Sequence, residues 1–220
     1  MMGSLRPNEH VNAALKHMAV HDPVLHQKMS SLEALPDFPI QGSANSHFHA
    51  LARTILSQQL AGKAAKTIHD RVKRLGSNGR FPTPGSLLEL DEESVRECGV
   101  SAAKQAALRA LASSIESGSL RLRGMTARDD ATIIDQLTTV RGIGTWSAQM
   151  FLIFRLGRID VLPVGDLGVQ EGLRILDGLE HRPTAKQLNL RGAVWRPFRT
   201  FATWTLYRVV DEHRLIEQRV

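Results

Sequence analysis

Apolar residues recur along this chain at spacings of three and four, which is the pattern of helices with one buried face. Residues 8–20 place Val11, Ala14, Leu15 and Met18 on one side, with Asn8 positioned as an N-cap. His21-Asp22-Pro23 interrupts that pattern, and a further helical turn is predicted through Met29. Pro36 to Ser46 is a Pro/Gly/Ser-rich connection, and it marks the best boundary between an N-terminal arm and the first long helix. Phe48 to Leu60 reads as an amphipathic helix, Gly62 to Gly76 as a basic one. Ser86 and Asp91 are placed to cap two short helices, the second with Glu92 and Glu93 in its first turn. Ser101 to Gly118 puts Leu108, Leu111, Ala112 and Ile115 on one face. Helices are predicted from Asp129 or Asp130 to Thr139 or Val140, from Thr145 or Trp146 onward, and over 167–179. A short helix or turn is expected at 182–192, then a last long helix from Trp195 to Asp211. No run of alternating strands, internal repeat or P-loop breaks this pattern. The fold class is all-α.

Leu137 to Asp166 organises the rest. A helix ends, Arg141-Gly142-Ile143-Gly144 turns tightly, and a second helix carries Trp146, Met150, Phe151 and Phe154. Glycine tolerates positive φ and close backbone approach, while Ile143 plugs the helix pair from inside. The free N–H groups of Gly144, Thr145 and Trp146 sit at a helix start, where an anion such as a phosphate is favoured. The same turn also reads simply as a C-cap followed by an N-cap. Twenty-four residues beyond Gly142, an otherwise apolar VLPVGD loop delivers one carboxylate, Asp166. That carboxylate is either a helix N-cap or a catalytic group.

At 220 residues and 42% hydrophobic the chain can bury a core in one domain or two small ones. No apolar run approaches the roughly 20 residues that span a bilayer, and the first fifteen residues lack the apolar centre of an export signal. A single cysteine, Cys98, excludes an intrachain disulfide and a cysteine-held iron–sulfur cluster. A net charge of +6 is compatible with a nucleic-acid partner without requiring one. His47 and His49 project about 200° apart on a helix, a poor arrangement for one metal, and no zinc spacing occurs elsewhere.

With those residues in view, the chain resembles the helix-hairpin-helix DNA glycosylases, in which the hairpin precedes a Gly/Pro-rich loop and a catalytic Asp. Within them it is most similar to the alkylbase (3-methyladenine) branch. Gly142-Ile143-Gly144-Thr145-Trp146-Ser147-Ala148 carries that likeness, with TILSQQLAGKAAKTI (Thr54 to Ile68) and WRPFRTFATWTLYR (Trp195 to Arg208) in the family's order. The resemblance implies two helical lobes with a cleft between them. A core at 44–220 would hold the hairpin at about 137–151 and the catalytic loop at 157–166. Residues 1–43 would form a helical arm joining the second lobe, expected to be too short for the N-terminal α/β subdomain of some relatives.

By resemblance, Asp166 is the catalytic acid, and Trp146, Met150 and Tyr207 line the base pocket. Gln58, Gln59 and Leu60 form the wedge that fills the duplex, with Gln59 or Leu60 doing the filling and Gln58 meeting the opposite bases. Arg141, Gly142, Gly144, Thr145 and Trp146, with Lys63 and Lys104, are expected at phosphates. The carbonyls of Thr138, Val140 and Ile143 are expected to hold a structural Na+ or K+, with no cofactor for catalysis. Lyase relatives carry a Lys where this chain has Trp146, and no lysine lies between Lys104 and Lys186. The expectation is a monofunctional glycosylase that excises 3-methyladenine- and 7-methylguanine-type bases and leaves an abasic site for an AP endonuclease. It would act on double-stranded DNA as a monomer away from membranes, in the cytoplasm at a bacterial nucleoid or in a eukaryotic nucleus. Two rivals stay open: a hairpin protein that binds DNA without catalysis, and a glycosylase for an oxidised or deaminated base.

Overall fold

The computed structural model describes residues 7–32, 35, 46–60 and 62–217, and among these every regular element is helical. Twelve α-helices occur among them: α1 (Pro7–His21), α2 (Pro23–Ser31), α3 (His47–Ser57), α4 (Gly62–Arg74), α5 (Pro84–Glu89), α6 (Glu92–Glu97), α7 (Ala102–Glu116), α8 (Asp130–Thr138), α9 (Thr145–Phe154), α10 (Leu167–Leu176), α11 (Ala185–Arg191) and α12 (Arg199–Glu217). The chain divides into two compact units, one holding α3 to α9 and the other holding α1 and α2 with everything from residue 156. Except for Ser46, the Pro36–Ser46 connection lies outside the described residues, and so does the boundary expected at 43 and 44.

In the middle unit α3 is central and packs on α4, α7 and α9. Leu51, Ala52, Ile55 and Leu56 bury its apolar stripe almost completely, each large side chain being worth about 1.5–3 kcal/mol of transfer free energy. Ser46 caps α3 by accepting from the His49 N–H at 3.1 Å. Phe81 stacks on the His49 ring, and His49 Nε2 lies 2.7 Å from His69 Nε2 on α4. His47 instead accepts from Arg155 Nε at 3.0 Å, so the two histidines serve different contacts.

In the other unit α12 lies directly on α10. A Cβ at Gly172 would sit 2.3 Å from the Leu206 carbonyl oxygen, so only glycine permits this approach. Asp22 ties α1 and α2 to the C-terminal helices. It caps α2 through the Leu25 N–H at 3.1 Å, accepts from Trp195 Nε1 at 2.7 Å and pairs with Arg191 at 2.6 Å. Burial pushes the Asp22 carboxyl up, but the bonds from Arg191, Trp195 and Leu25 outweigh it and hold the group below its ordinary value.

Several expected boundaries move. Helix α1 begins at Pro7, so Asn8 is inside it. Thr83 caps α5, with Pro84 at its first position and Ser86 in its first turn, because proline's fixed φ suits the start of a helix. The helix expected over Phe48–Leu60 stops at Ser57, because Gln59 takes a left-handed φ of 57°. The last helix begins at Arg199, because Pro197 has no N–H with which to continue a helix from Trp195.

Candidate active site

Residues 157–166 hold no regular structure, so their position depends on what ties them down. The start of α12 does this. Thr200 Oγ1 donates to the Arg158 carbonyl at 2.6 Å and accepts from the Val161 N–H at 3.0 Å, and Thr203 Oγ1 donates to the Val161 carbonyl at 3.2 Å. Arg199 grips Asp160 with Nε at 2.6 Å and Nη2 at 3.1 Å from the two carboxylate oxygens. Val161, Leu162 and Pro163 of this loop are buried. The Asp166 N–H then closes a turn onto the Pro163 carbonyl at 2.9 Å.

Asp166 emerges from this turn as the N-cap of α10. Its Oδ1 accepts from the Val169 N–H at 2.9 Å, and its Oδ2 accepts from the Tyr207 hydroxyl at 2.8 Å. The carboxylate is only 8% exposed. It therefore sits at the positive end of a helix dipole with a neutral donor on each oxygen. Gly168 makes room for the pair: a Cβ there would lie 3.1 Å from both Asp166 Oδ1 and Tyr207 Cε1. Gly168 and Gly172 are one helical turn apart, and both face α12. The sequence reading did not single them out, although their small-xxx-small spacing was legible.

In the middle unit α8, capped by Asp129 at 2.9 Å from the Thr132 N–H, runs into the hairpin. The Val140 N–H bonds the Leu137 carbonyl and the Ile143 N–H bonds the Val140 carbonyl, at 3.1 and 3.0 Å. Gly142 has φ 86°, and a Cβ there would meet Ala107 Cβ on α7 at 2.3 Å. Ile143 is buried. Gly144 caps α9 with no side-chain acceptor, and both it and Thr145 are exposed, so the first amides of α9 present an anion-binding end. Arg141 and Lys63 are exposed. On the first two turns of α9, Trp146 is half-buried and Met150 is buried. Trp146 and Met150 thus belong to the middle unit, Asp166 and Tyr207 to the other.

The polar break after α3 forms a tight turn. Gln59 is exposed and left-handed, a conformation costing roughly 1–2 kcal/mol for a residue with a Cβ. Leu60 is 38% exposed. Two neighbours are tied to other parts of the middle unit. Gln58 Nε2 donates to the Gly142 carbonyl at 3.0 Å and to Ser147 Oγ at 2.9 Å, so its amide hydrogens are spent on protein. Lys104 Nζ donates to the carbonyls of Leu56 and Gln58 at 2.7 and 2.9 Å. Burial lowers the Lys104 pKa, and its ammonium caps the end of α3.

Residues 52–197 match the HhH-GPD superfamily of base excision DNA repair proteins. DNA-3-methyladenine glycosylase 1 of Schizosaccharomyces pombe is 38% identical over 162 residues, covering 73% of this chain and 71% of that protein. The Saccharomyces cerevisiae DNA-3-methyladenine glycosylase is 35% identical over 76% of this chain and 60% of its own length. Among solved structures, the S. pombe 3-methyladenine DNA glycosylase in complex with abasic DNA superposes with a TM-score of 0.84 at 32% identity, over 89% of this chain and 95% of that one. A Bacillus halodurans DNA-3-methyladenine glycosidase gives 0.72 at 34% identity, over 89% and 88%.

Proposed function

This chain belongs to the HhH-GPD superfamily of base excision DNA repair proteins, and from that premise we propose that it is a monofunctional DNA glycosylase excising alkylated bases of the 3-methyladenine and 7-methylguanine type from duplex DNA. The observation that carries this reading is the buried Asp166 carboxylate, held at both oxygens at the end of a strapped loop.

The reaction breaks the bond between C1′ and the base nitrogen. The bonding electron pair leaves with the base, and positive charge develops on the deoxyribose. A fixed carboxylate stabilises that charge without reorganising, which is the most effective form of electrostatic catalysis. Water then adds at C1′ and loses a proton, leaving an abasic site. An alkylated purine already carries formal positive charge, so it departs without an enzymic acid and is attracted to aromatic faces. Trp146, Met150 and Tyr207 are the pocket residues proposed to receive it once the nucleotide is turned out of the stack. With Trp146 at the position of the lyase lysine, no amine attacks the sugar.

Anchoring rests on the uncapped amides of α9, with Arg141 and Lys63 nearby in sequence. The C-terminal end of α8 supplies neutral oxygen ligands suited to a hard monovalent cation. Among the described residues no group of three or more His, Cys, Asp or Glu side chains offers a competing metal site. Na+ or K+ would be held by the carbonyls of Thr138, Val140 and Ile143, and would add positive charge beside the bound phosphate. The protein acts on double-stranded DNA as a monomer and hands its product to an AP endonuclease. Among the described residues no helix is long and apolar enough to cross a membrane.

The test is release of 3-methyladenine and 7-methylguanine from methylated duplex DNA, with and without alkali, by the wild type and Asp166→Asn. Release by the wild type alone, with strand breaks only after alkali, is expected. Tight duplex binding with no release by either protein would leave a hairpin protein whose Asp166 only caps α10.

A further inference from the structure

We propose that Gln58 and Lys104 latch the Gln59 turn to the hairpin, so that gripping a phosphate and filling the duplex are one mechanical event with Gln59 as the inserted side chain. This rests on the glycosylase reading above.

Helix α7 is the shared scaffold. Lys104 and Ala107 lie three residues apart on one face of it. Ala107 Cβ is the surface against which Gly142 packs with no space for a side chain. Lys104, one turn earlier, holds the last carbonyls of α3, which a helix end otherwise leaves unpaired. Gln58 closes the ring by reaching from the α3 end to the Gly142 carbonyl and to the buried Ser147 hydroxyl on α9. Both hydrogens of its side-chain amide nitrogen and its backbone carbonyl are therefore engaged.

Gln59 is the residue between these ties. Its backbone is fixed on one side by the held Gln58 and on the other by the Leu60 N–H, which bonds the Ser57 carbonyl at 3.2 Å. Its side chain is exposed and makes none of these bonds. A flexible turn would lose ordering entropy each time it inserted, whereas this one is ordered beforehand. The hairpin that anchors the backbone thereby fixes where Gln59 enters the stack.

The experiment places 2-aminopurine beside a 7-methylguanine in duplex DNA and follows its unstacking by fluorescence, together with single-turnover base release. Gln58→Met should bind duplex within about twofold of wild type, lose most of the fluorescence rise, and release base about tenfold more slowly. Lys104→Met should show the same pattern. Adding Gln59→Ala to Gln58→Met should change little further, because both act on one step. Release from an unpaired, bulged lesion, which needs no wedge, should stay near wild type in all three. Additive losses, or an equal defect on the bulged lesion, would overturn the latch and indicate simple destabilisation, which thermal midpoints would also reveal. If the wild type releases no base at all, the glycosylase reading fails, while the fluorescence step still reads the latch.

Discussion

The Tyr207 hydroxyl donates to Asp166 Oδ2 at 2.8 Å across the face where α10 meets α12, while Oδ1 of the same carboxylate caps α10. One side chain therefore starts a helix and offers a buried negative charge. These two roles respond differently to substitution.

Asn caps a helix about as well as Asp, so Asp166→Asn should lie within about 1 kcal/mol of wild type in stability and bind duplex normally. It removes the charge, and base release should fall by about a hundredfold to a thousandfold, the range for losing a principal electrostatic group. Chemical denaturation alongside single-turnover release separates the two roles. Near-normal release by this variant would remove Asp166 from the mechanism.

Tyr207→Phe keeps the ring against Gly168 and deletes only the donor. A hydrogen bond to a charged group is worth about 1.5–3 kcal/mol, so release should slow by roughly tenfold or more with duplex affinity unchanged. Gly168→Ala should disturb the same pair, since its Cβ would lie 3.1 Å from both Asp166 Oδ1 and Tyr207 Cε1. If Tyr207→Phe turns over at the wild-type rate, the hydroxyl is dispensable and the residue serves only as an aromatic surface.

The helices and the hairpin were legible because they depend on local signals: apolar spacing, the Asp91 and Asp129 caps, and a glycine turn. The capping position of Asp166 was legible because its carboxylate directly precedes a helical run, while its catalytic role came from the family resemblance and not from the pattern. Long-range partners were not. Nothing in the pattern of α7 indicates that the Lys104 ammonium ends on α3 carbonyls, or that Gln58 reaches residue 142. A polar residue in sequence announces a need for partners without naming them. Thr83 and Arg199 show the other failure, where several adjacent residues can start a helix and the proline nearby decides which one does.

The two hairpin glycines should differ in kind. Gly142 has φ 86°, and a Cβ there would meet Ala107 at 2.3 Å, whereas Gly144 has nothing within 4 Å. Gly142→Ala should therefore destabilise the protein by roughly 2 kcal/mol or more, from strain and overpacking together. Gly144→Ala should fold like wild type, and Gly144→Glu should fold but bind duplex weakly, with a shallower salt dependence. Unchanged affinity and salt slope in Gly144→Glu would move the anchor elsewhere.

Stability should fall on mild acidification because of the His49–His69 pair. Ring nitrogens 2.7 Å apart need one N–H and one lone pair, and His69 Nδ1 faces Asp70 at 3.1 Å. Burial, and then the neighbouring His69, Arg53, Lys73 and Arg155, push His49 down to about 4. Burial also lowers His69, despite the opposing pull of Asp70. An unfolded imidazole titrates near 6.5, so between that value and about 4 the unfolded chain binds more protons than the folded one. The sign follows: stability is fully present above about pH 7 and is lost as pH falls through this window. The His49 share is about 2–3 kcal/mol at most. His49→Gln can still donate to His69 but does not titrate, so it should lose less stability than wild type between about pH 7.5 and about pH 5. Equal losses in urea unfolding would show that the pair does not set the acid sensitivity of this unit.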